Sequence, residues 1–204
     1  MRIYTNVFLP RLCDLAMRSS RFIPYRQRVI AAAQGRVLEI GAGSGLNLPF
    51  YRAHVQEVLA LEPTARLVGL ARRRARINGM PIAFIEASAE AIPLDTASVD
   101  TVVTTWTLCS IPHPGAALAE IRRVLKPGGR MLFVEHGASP DPTVRIWQDR
   151  LTPAWKRLSG GCHLNRPIRD LLVTNGFQID QLTTGYMPGP KPMTYMSEGS
   201  AHPL

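Results

Sequence analysis

The chain has few cysteines, and they do not occur in pairs. Its 204 residues include only Cys13, Cys109 and Cys162. An odd number without paired spacing argues against a disulfide scaffold and favours a reducing compartment, so the sequence predicts a cytoplasmic protein. Since neither a C-x-x-C nor an H-x-x-x-H pattern occurs, the sequence also predicts no metal site.

Long apolar runs are also absent. No stretch approaches the roughly 18 consecutive apolar residues that a membrane-spanning helix needs, and the N-terminal residues lack the apolar core of a signal peptide. Residues 1–20 instead place apolar side chains at near-helical spacing, with Arg11, Asp14 and Arg18 between them. This pattern predicts an amphipathic helix that packs across the sheet. A lid over the ligand, with Tyr4 and Asn6 reaching it, is the alternative.

Acidic residues are outnumbered by basic ones. The chain has 24 lysines and arginines against 15 acidic residues, which gives a net charge of +9. Such a balance is compatible with nucleic acid, an anionic membrane surface or an acidic substrate. The charges are scattered, however, and the one dense run, at 72–76, has the spacing of a solvated helix face. Peripheral membrane contact through the N-terminal helix therefore stays open as a prediction.

Three glycines alternate with small residues directly after an apolar run. Residues 37–40 end this run with Glu39 and Ile40, and Gly41, Gly43 and Gly45 follow. Because glycine serves where φ is positive or a ligand touches the backbone, we predict a binding corner at the carboxyl end of a parallel strand. The spacing is shorter than the dinucleotide pattern G-x-G-x-x-G. The Glu39 carboxylate would repel a diphosphate but attract an ammonium, so a nucleoside carrying an amino acid is predicted.

Glu62 stands at the predicted end of the next strand. The apolar run 55–61 precedes it and Pro63 follows it. An acidic side chain at this position accepts hydrogen bonds from two ribose hydroxyls. A surface glutamate that merely precedes a helix is the alternative.

Strand and helix patterns alternate along most of the chain, which predicts an α/β fold with a doubly wound parallel sheet. One domain is expected, with an N-terminal helical cap (1–34), a cofactor-binding core (35–137), and acceptor-side helices with a C-terminal hairpin (138–204). The predicted strands are 36–40, 55–61, 81–86, 99–105, 130–135, 177–184 and 191–198. The predicted helices are 24–33, 64–78 capped by Asn78-Gly79, 88–92, 114–126, 143–158 and 167–175, besides the one within 1–20.

The glycine corner, the Leu61-Glu62-Pro63 strand end and the segment 123–129 (Arg-Val-Leu-Lys-Pro-Gly-Gly) together resemble a class I S-adenosylmethionine-dependent methyltransferase. This resemblance covers about residues 25–185. It implies S-adenosyl-L-methionine as cofactor and a seven-stranded sheet whose last strand is antiparallel. A narrower resemblance, to the methyltransferase-like thiol methyltransferases, borders on phospholipid N-methyltransferases and quinone methyltransferases. It is carried by segments 106–110, 135–136, 147–148, 153–155 and 161–166.

The resemblance implies a cofactor cradle at the strand ends. Glu39 would hold the ammonium through water, Glu62 would bind the ribose, and the glycine backbone would admit the methionine part. Adenine would lie beside Ser88, at a position where many relatives have aspartate. Thr105 and Trp106 would flank the methionine part, although Trp106 could equally be a core aromatic. The implied set is Glu39, Gly41, Gly43, Gly45, Asn47, Glu62, Pro63, Ser88, Ala89, Glu90, Thr105 and Trp106.

The acceptor side offers two candidate general bases, His136 and His163, because imidazole titrates near neutrality. His136 follows a predicted strand end, but it could instead cap a helix or pair with a carboxylate. Cys109 is interpreted as packing inside rather than attacking. The expected activity is methylation of a small acceptor, foremost a hydrophobic thiol or sulfide. Phospholipid N-methylation, quinone or phenol methylation, and a non-catalytic cofactor-binding module are the alternatives.

Nucleic acid is not an expected partner. The segment after the fourth strand, 104–107, lacks the Asn/Asp-Pro-Pro-aromatic loop typical of enzymes that methylate the amino groups of bases. Cys109 follows leucine rather than proline, unlike the nucleophile of carbon-5 base methylation. The net charge alone does not identify a nucleic-acid-binding protein.

Overall fold

A computed structural model describes residues 8–75 and 81–204. The helices are α1 (Leu9–Met17), α2 (Ile23–Ala31), α3 (Ala65–Ala75), α4 (Pro114–Val124), α5 (Pro142–Leu158) and α6 (Ile168–Thr174). The strands are β1 (Gly35–Ile40), β2 (Val55–Leu61), β3 (Ile82–Ile85), β4 (Val99–Thr105), β5 (Leu125–His136), β6 (Phe177–Tyr186) and β7 (Tyr195–Pro203). Tyr4, Asn6 and the predicted Asn78-Gly79 cap lie outside the described residues.

The seven strands form one sheet in the order β3-β2-β1-β4-β5-β7-β6. The pairs from β3 to β5 are parallel, whereas β7 runs antiparallel to both β5 and β6. This arrangement confirms the predicted fold class. The strand order reverses between β1 and β4, and a ligand-binding crevice is expected at the carboxyl ends of strands at such a switch point.

Both faces of the sheet are covered, which explains the continuous apolar runs of the central strands. One core cluster packs α4 and α6 against the sheet and includes Leu38, Leu118 and Phe133. The other packs α2 against the opposite face and includes Ile30 and Val103. The two layers hold the strand ends rigidly in place.

The predicted helix 88–92 is wrong. The segment forms a turn, in which Ala91 N donates to Ser88 O over 3.1 Å and Glu90 N donates to Ser88 Oγ over 3.2 Å. Five residues before Pro93 are too few to offset the cost of nucleating a helix. The serine side chain satisfies the backbone locally instead.

Some element ends also differ from the prediction. β5 begins at Leu125, before the Pro-Gly-Gly segment, rather than at residue 130. β7 begins at Tyr195, because Lys191–Met193 forms one turn of 3-10 helix. Among residues 8–75 and 81–204, no helix is both long and apolar enough to cross a bilayer.

Candidate active site

The glycine corner after β1 follows the predicted geometry. Gly41, Gly43 and Gly45 have φ values of 67°, 56° and 79°, which L-residues with a Cβ rarely adopt. A Cβ on Gly41 would overlap the Thr107 side chain, and one on Gly45 would press on Ala71. A Cβ on Gly43 would have no heavy atom nearer than 3.8 Å. The backbone at Gly43 is therefore open to a ligand.

Glu62 joins the corner to the end of β2. Its side chain is buried, Oε2 accepts from Gly43 N over 3.0 Å and Oε1 accepts from Thr64 N over 3.0 Å. Burial raises the pKa of Glu62, although these N–H donors oppose the shift. Each carboxylate oxygen can accept a second hydrogen bond. Glu62 thus holds the corner in shape and keeps capacity for two hydroxyl donors.

Glu39 is fully buried beneath the same corner. Its oxygens accept from Asn47 Nδ2 over 2.8 Å and from Tyr51 Oη over 2.9 Å. Burial raises the pKa of Glu39 to about 7, while these donors and the Arg26 charge lower it. Asn47 also donates to Thr105 Oγ1 over 2.9 Å and accepts from Arg26. Because Asn47 lines the cavity and Glu39 does not, Asn47 connects the buried Glu39 carboxylate to the cavity wall.

A cavity of about 680 Å³ opens beside this corner. Its volume lies within the range of small-molecule sites. The predicted site residues that line it are Gly41, Gly43, Asn47, Thr105, Trp106 and His136. The predicted site residues outside its lining are Glu39, Gly45, Glu62, Pro63, Ser88, Ala89, Glu90 and His163.

The segment predicted to contact adenine lies past the end of β3. Ser88 is exposed and Ala89 is buried, and Glu90 Oε1 accepts from His113 N over 2.9 Å. This bond ties the segment to the start of α4. The adenine assignment stays a prediction.

Trp106 combines both interpretations made from the sequence. Its φ is 52°, an uncommon value that turns the chain sharply at the end of β4. The ring contacts Phe22 edge-on at 4.9 Å between centroids, and the Arg26 guanidinium carbon lies 4.9 Å from the ring centroid. Trp106 therefore packs against α2 while it lines the cavity.

Helix α1 is fastened over the glycine corner by Asp14, a residue that was not predicted to belong to the site. Asp14 accepts from Ser44 Oγ, and its oxygens accept from Arg74 over 2.9 and 3.3 Å and from Arg18. Burial alone would raise the pKa of Asp14, but the hydrogen bonds from Arg74, Ser44 and Arg18 lower it to about 2. The ionised carboxylate thus links α1, the corner and α3.

The far end of the cavity carries sulfur. Cys109, His136 and Cys162 all line it, and all three cysteines of the chain are free thiols. The Sγ atoms of Cys109 and Cys162 are 3.4 Å apart, and Cys162 Sγ lies 3.6 Å from His136 Nδ1 and 3.7 Å from Nε2. The contact between the two thiols lowers the pKa of Cys162. The same contact, together with burial, raises the pKa of Cys109.

Glu135 holds the backbone of the Cys109 segment in place. It was not among the predicted site residues. It is fully buried and accepts from the backbone N–H groups of Thr107, Leu108 and Cys109 over 3.0, 3.1 and 3.4 Å. Burial raises the pKa of Glu135 to about 6, against the effect of these donors. The Glu135-His136 pair was visible in the sequence, but its three backbone partners were not.

The two candidate bases occupy different positions. Burial disfavours the charged form of His136, but contact with Cys109 and Glu135 raises its pKa overall. Burial lowers the pKa of His163, and the positive charge of Arg166 lowers it further. His163 N donates to Cys109 O over 2.9 Å, and its Nδ1 lies 3.2 Å from the same oxygen. His163 thus holds the backbone of the two cysteine segments together, while His136 lines the cavity.

Comparisons with known proteins agree on the fold. A family model described as "Methyltransferase domain" matches residues 38–133. The thiol S-methyltransferase TMT1B of Homo sapiens is 36% identical over 143 residues, which are 67% of this chain and 58% of that protein. The demethylmenaquinone methyltransferase of Clavibacter sepedonicus is 33% identical over 123 residues, 60% of this chain and 50% of that one. The chain thus spans little more than half the length of these relatives.

Among solved structures, a SAM-dependent methyltransferase from Aquifex aeolicus superimposes with a TM-score of 0.68 at 17% identity. The match covers 96% of this chain and 98% of that one. At this identity the superposition concerns the fold alone.

The residues of the corner fit S-adenosyl-L-methionine. The open backbone at Gly43 admits a ligand, Glu62 has acceptor capacity at the neighbouring strand end, and Asn47 extends the buried Glu39 network to the cavity wall. The two carboxylates of the corner would attract a positively charged ligand rather than an anionic one. The cofactor would supply an electrophilic methyl group on a sulfonium.

Proposed function

We propose that this chain, which belongs to the S-adenosylmethionine-dependent methyltransferases, transfers a methyl group to the sulfur of a small apolar thiol. The observation that carries the proposal is the sulfur-lined end of the cavity, where Cys109, His136 and Cys162 meet in the same cavity that Gly41 and Gly43 line. An acceptor that reached this end would lie next to two polarisable sulfur atoms. The similarity to thiol S-methyltransferases points the same way.

The walls of the cavity favour an apolar acceptor. They are lined by Leu9, Leu12, Trp155, Met187 and Met193 from both ends of the chain. Methionine side chains adapt to irregular ligands and contact sulfur or aromatic groups well. Burying the alkyl part of a thiol here would supply binding energy of about 25 cal/mol per Å² of apolar surface.

Methyl transfer to a thiol mainly requires the protein to align the thiol sulfur with the methyl group. An alkyl thiol has a pKa of about 8.5, so a small fraction of the molecules is already ionised at neutral pH. Holding the sulfur in line with the methyl group and excluding water then supplies most of the rate. His136 is the cavity-lining imidazole available to accept the thiol proton.

Quinone methylation is the second candidate, because a demethylmenaquinone methyltransferase is among the relatives. The test offers purified protein, with methyl-labelled cofactor, an alkyl thiol, a demethylated naphthoquinol and phosphatidylethanolamine vesicles in parallel. We expect label in the thiol alone. Label only in quinol or lipid would overturn the thiol assignment. Cofactor binding by calorimetry without label in any acceptor would indicate a non-catalytic binding module.

We further propose that the mouth of the cavity contacts a membrane surface peripherally. Phe8, which precedes α1, and Leu12 and Leu15 on α1 are more than half exposed. Ile146 and Trp147 on α5 are also more than half exposed. Leu12 of α1 and Leu158 of α5 both line the cavity and are more than half exposed, so exposed apolar side chains of both helices reach it. An apolar acceptor dissolved in a bilayer could then enter directly.

A further inference from the structure

The side chains of Cys109, His136 and Cys162 form a cluster whose potential ligand atoms all lie within 4.8 Å of one another. In sequence, Cys109 and Cys162 are 53 residues apart, so no local motif reveals the cluster. The mechanism proposed above uses only the imidazole of His136 and assigns no chemical step to either cysteine.

The spacing of the cluster matches a tetrahedral zinc site. Zn–S bonds are about 2.3 Å and Zn–N bonds about 2.1 Å long. At the tetrahedral angle, two sulfur ligands therefore lie about 3.8 Å apart, and a sulfur and a nitrogen ligand about 3.6 Å apart. The observed separations are 3.4 Å between the two sulfurs and 3.6 or 3.7 Å from Cys162 Sγ to the two His136 nitrogens. The remaining pair, Cys109 Sγ and a His136 nitrogen, lies within 4.8 Å.

The surrounding structure fixes two of the ligands. Glu135 accepts from Cys109 N, and His163 N donates to Cys109 O over 2.9 Å, which ties the Cys162-His163 segment to the Cys109 segment. Arg166 donates to Ile111 O over 2.9 Å and to Leu108 O, on the same segment as Cys109. Such outer contacts are typical of metal sites, in which they hold the ligands in place.

We propose that Cys109, His136 and Cys162 bind a zinc ion whose fourth coordination position opens into the cavity and takes the acceptor thiol as a thiolate. Two cysteines and one histidine suit zinc, and three protein ligands with one open position are typical of catalytic zinc. Two thiolates and a neutral imidazole balance the charge of the ion. This inference rests on the proposed thiol methylation, and it makes His136 a ligand rather than a base.

Zinc would perform the step that a general base performs otherwise. On coordination, the acceptor S–H bond breaks and its proton passes to solvent, because a metal lowers the pKa of a bound thiol. The sulfur lone pair then forms the new bond to the methyl carbon. The bond between the methyl carbon and the sulfonium sulfur of the donor breaks at the same time, and its electron pair stays on that sulfur, which becomes a neutral thioether. The methylated product is also a neutral thioether, a weaker ligand than a thiolate, and leaves the ion.

Cobalt(II) provides the test, because it substitutes for zinc and absorbs visibly in tetrahedral thiolate sites. Reduced, chelator-treated protein is titrated with cobalt, and we expect one ion per chain with thiolate-to-cobalt charge-transfer absorption. Cys162→Ser should weaken binding more than about 100-fold, since loss of an outer contact alone costs 10–100-fold. Cys13→Ser is the matched control and should keep the absorption.

The acceptor position is tested in the same cuvette. Adding an alkyl thiol should increase the charge-transfer absorption of the cobalt protein, while the corresponding methyl thioether should leave it unchanged. Because Cys109 is more deeply buried than His136, His136→Asn serves as the second ligand variant. Cofactor binding by calorimetry verifies that each variant is folded.

The possible results separate the two proposals. Absent cobalt absorption, or full absorption in folded Cys162→Ser and His136→Asn, would overturn the zinc site. If these spectra appear as expected but no thiol is methylated, the zinc site stands and the proposed function fails. Full thiol methylation by metal-free protein would overturn the role of zinc while leaving thiol methylation intact.

Discussion

At the scale of single residues, Glu62 is the side chain whose removal should damage cofactor binding most clearly. It offers hydrogen-bond acceptors where the ribose is predicted to bind, and it accepts a hydrogen bond from Gly43 N. Hydrogen bonds to a charged group contribute roughly 1.5–3 kcal/mol each. We expect Glu62→Ala to weaken S-adenosyl-L-methionine binding about 100-fold or more, measured by calorimetry.

Glu57→Ala is the matched control for this experiment. Glu57 lies on the same strand but is partly exposed and paired with Arg36. Such surface pairs contribute little, about 1 kcal/mol or less, so affinity should stay close to wild type. Equal affinities for the two variants would show that the ribose is bound elsewhere.

Glu39 should make stability depend on pH. Its pKa is raised to about 7 in the folded protein, against about 4.3 in an unfolded chain. Between these values the folded state binds more protons, so the free energy of unfolding falls as pH rises from about 4 to 7. The contribution of Glu39 is on the order of 3 kcal/mol.

Denaturant titrations at pH 5, 6, 7 and 8 measure this slope. Glu39→Gln should flatten it in part, since Glu135, with its pKa raised to about 6, adds a slope of the same sign. Glu57→Gln is the control for replacing a carboxylate by an amide at a partly exposed position. If the Glu39→Gln slope equals the wild-type slope, the carboxylate has an ordinary pKa in the folded state.

The sequence predicts these residues unevenly. Glu62 and the three glycines follow from their place after apolar runs, because strand ends meet at one edge of a parallel sheet. Asp14 and the cysteine pair do not, since their partners come from segments far away in the chain. The two cysteines belong to the segments that carried the narrower resemblance, 106–110 and 161–166, and that was the one available signal for them.

At the scale of elements, α1 should be held by the Asp14 carboxylate. Asp14→Asn removes the charge that binds Arg74 and Arg18, so α1 should loosen from the glycine corner. We expect faster proteolysis within α1 and several-fold weaker cofactor binding. Because the pKa of Asp14 is lowered to about 2, its contribution is complete above about pH 4 and is lost toward pH 2.

Limited proteolysis at neutral pH checks this prediction, with the cleaved bonds identified by mass spectrometry. Asp170→Asn is the control, since Asp170 is exposed on α6. Wild-type cleavage of α1 in Asp14→Asn would mean that apolar contacts alone hold the helix.

Elements with a strong pattern were predicted well. The central strands are continuous apolar runs between turn signals, and α5 has both an acidic N-cap, Asp141, and helical spacing. The segment after β3 was not predictable in the same way. Ser88 and Pro93 suit a short helix or a turn equally, and hydrogen bonds from His113 and within the segment decide the outcome.

At the scale of the whole molecule, the distribution of charge and apolar surface bears on where an acceptor is collected. The exposed α1 residues Leu12 and Leu15 lie near Arg11 and Arg18 in sequence, and a groove beside α1 is lined by Arg66 and Arg73 of α3. Basic side chains beside exposed apolar ones favour an anionic bilayer over a neutral one. The net charge follows from the composition alone. The position of the α3 arginines beside α1 does not, because it depends on the fold.

Co-sedimentation with vesicles tests this surface. We expect binding to vesicles that contain phosphatidylserine, weaker binding to pure phosphatidylcholine, and a decline as salt rises. Leu12→Ser combined with Leu15→Ser should weaken binding about 10-fold or more, because two exposed leucines that would enter the bilayer interface are lost. Val173→Ser removes an exposed apolar side chain on α6 and should have no such effect. If the double variant sediments like wild type while salt still abolishes binding, arginines alone make the contact and the apolar mouth does not enter the bilayer.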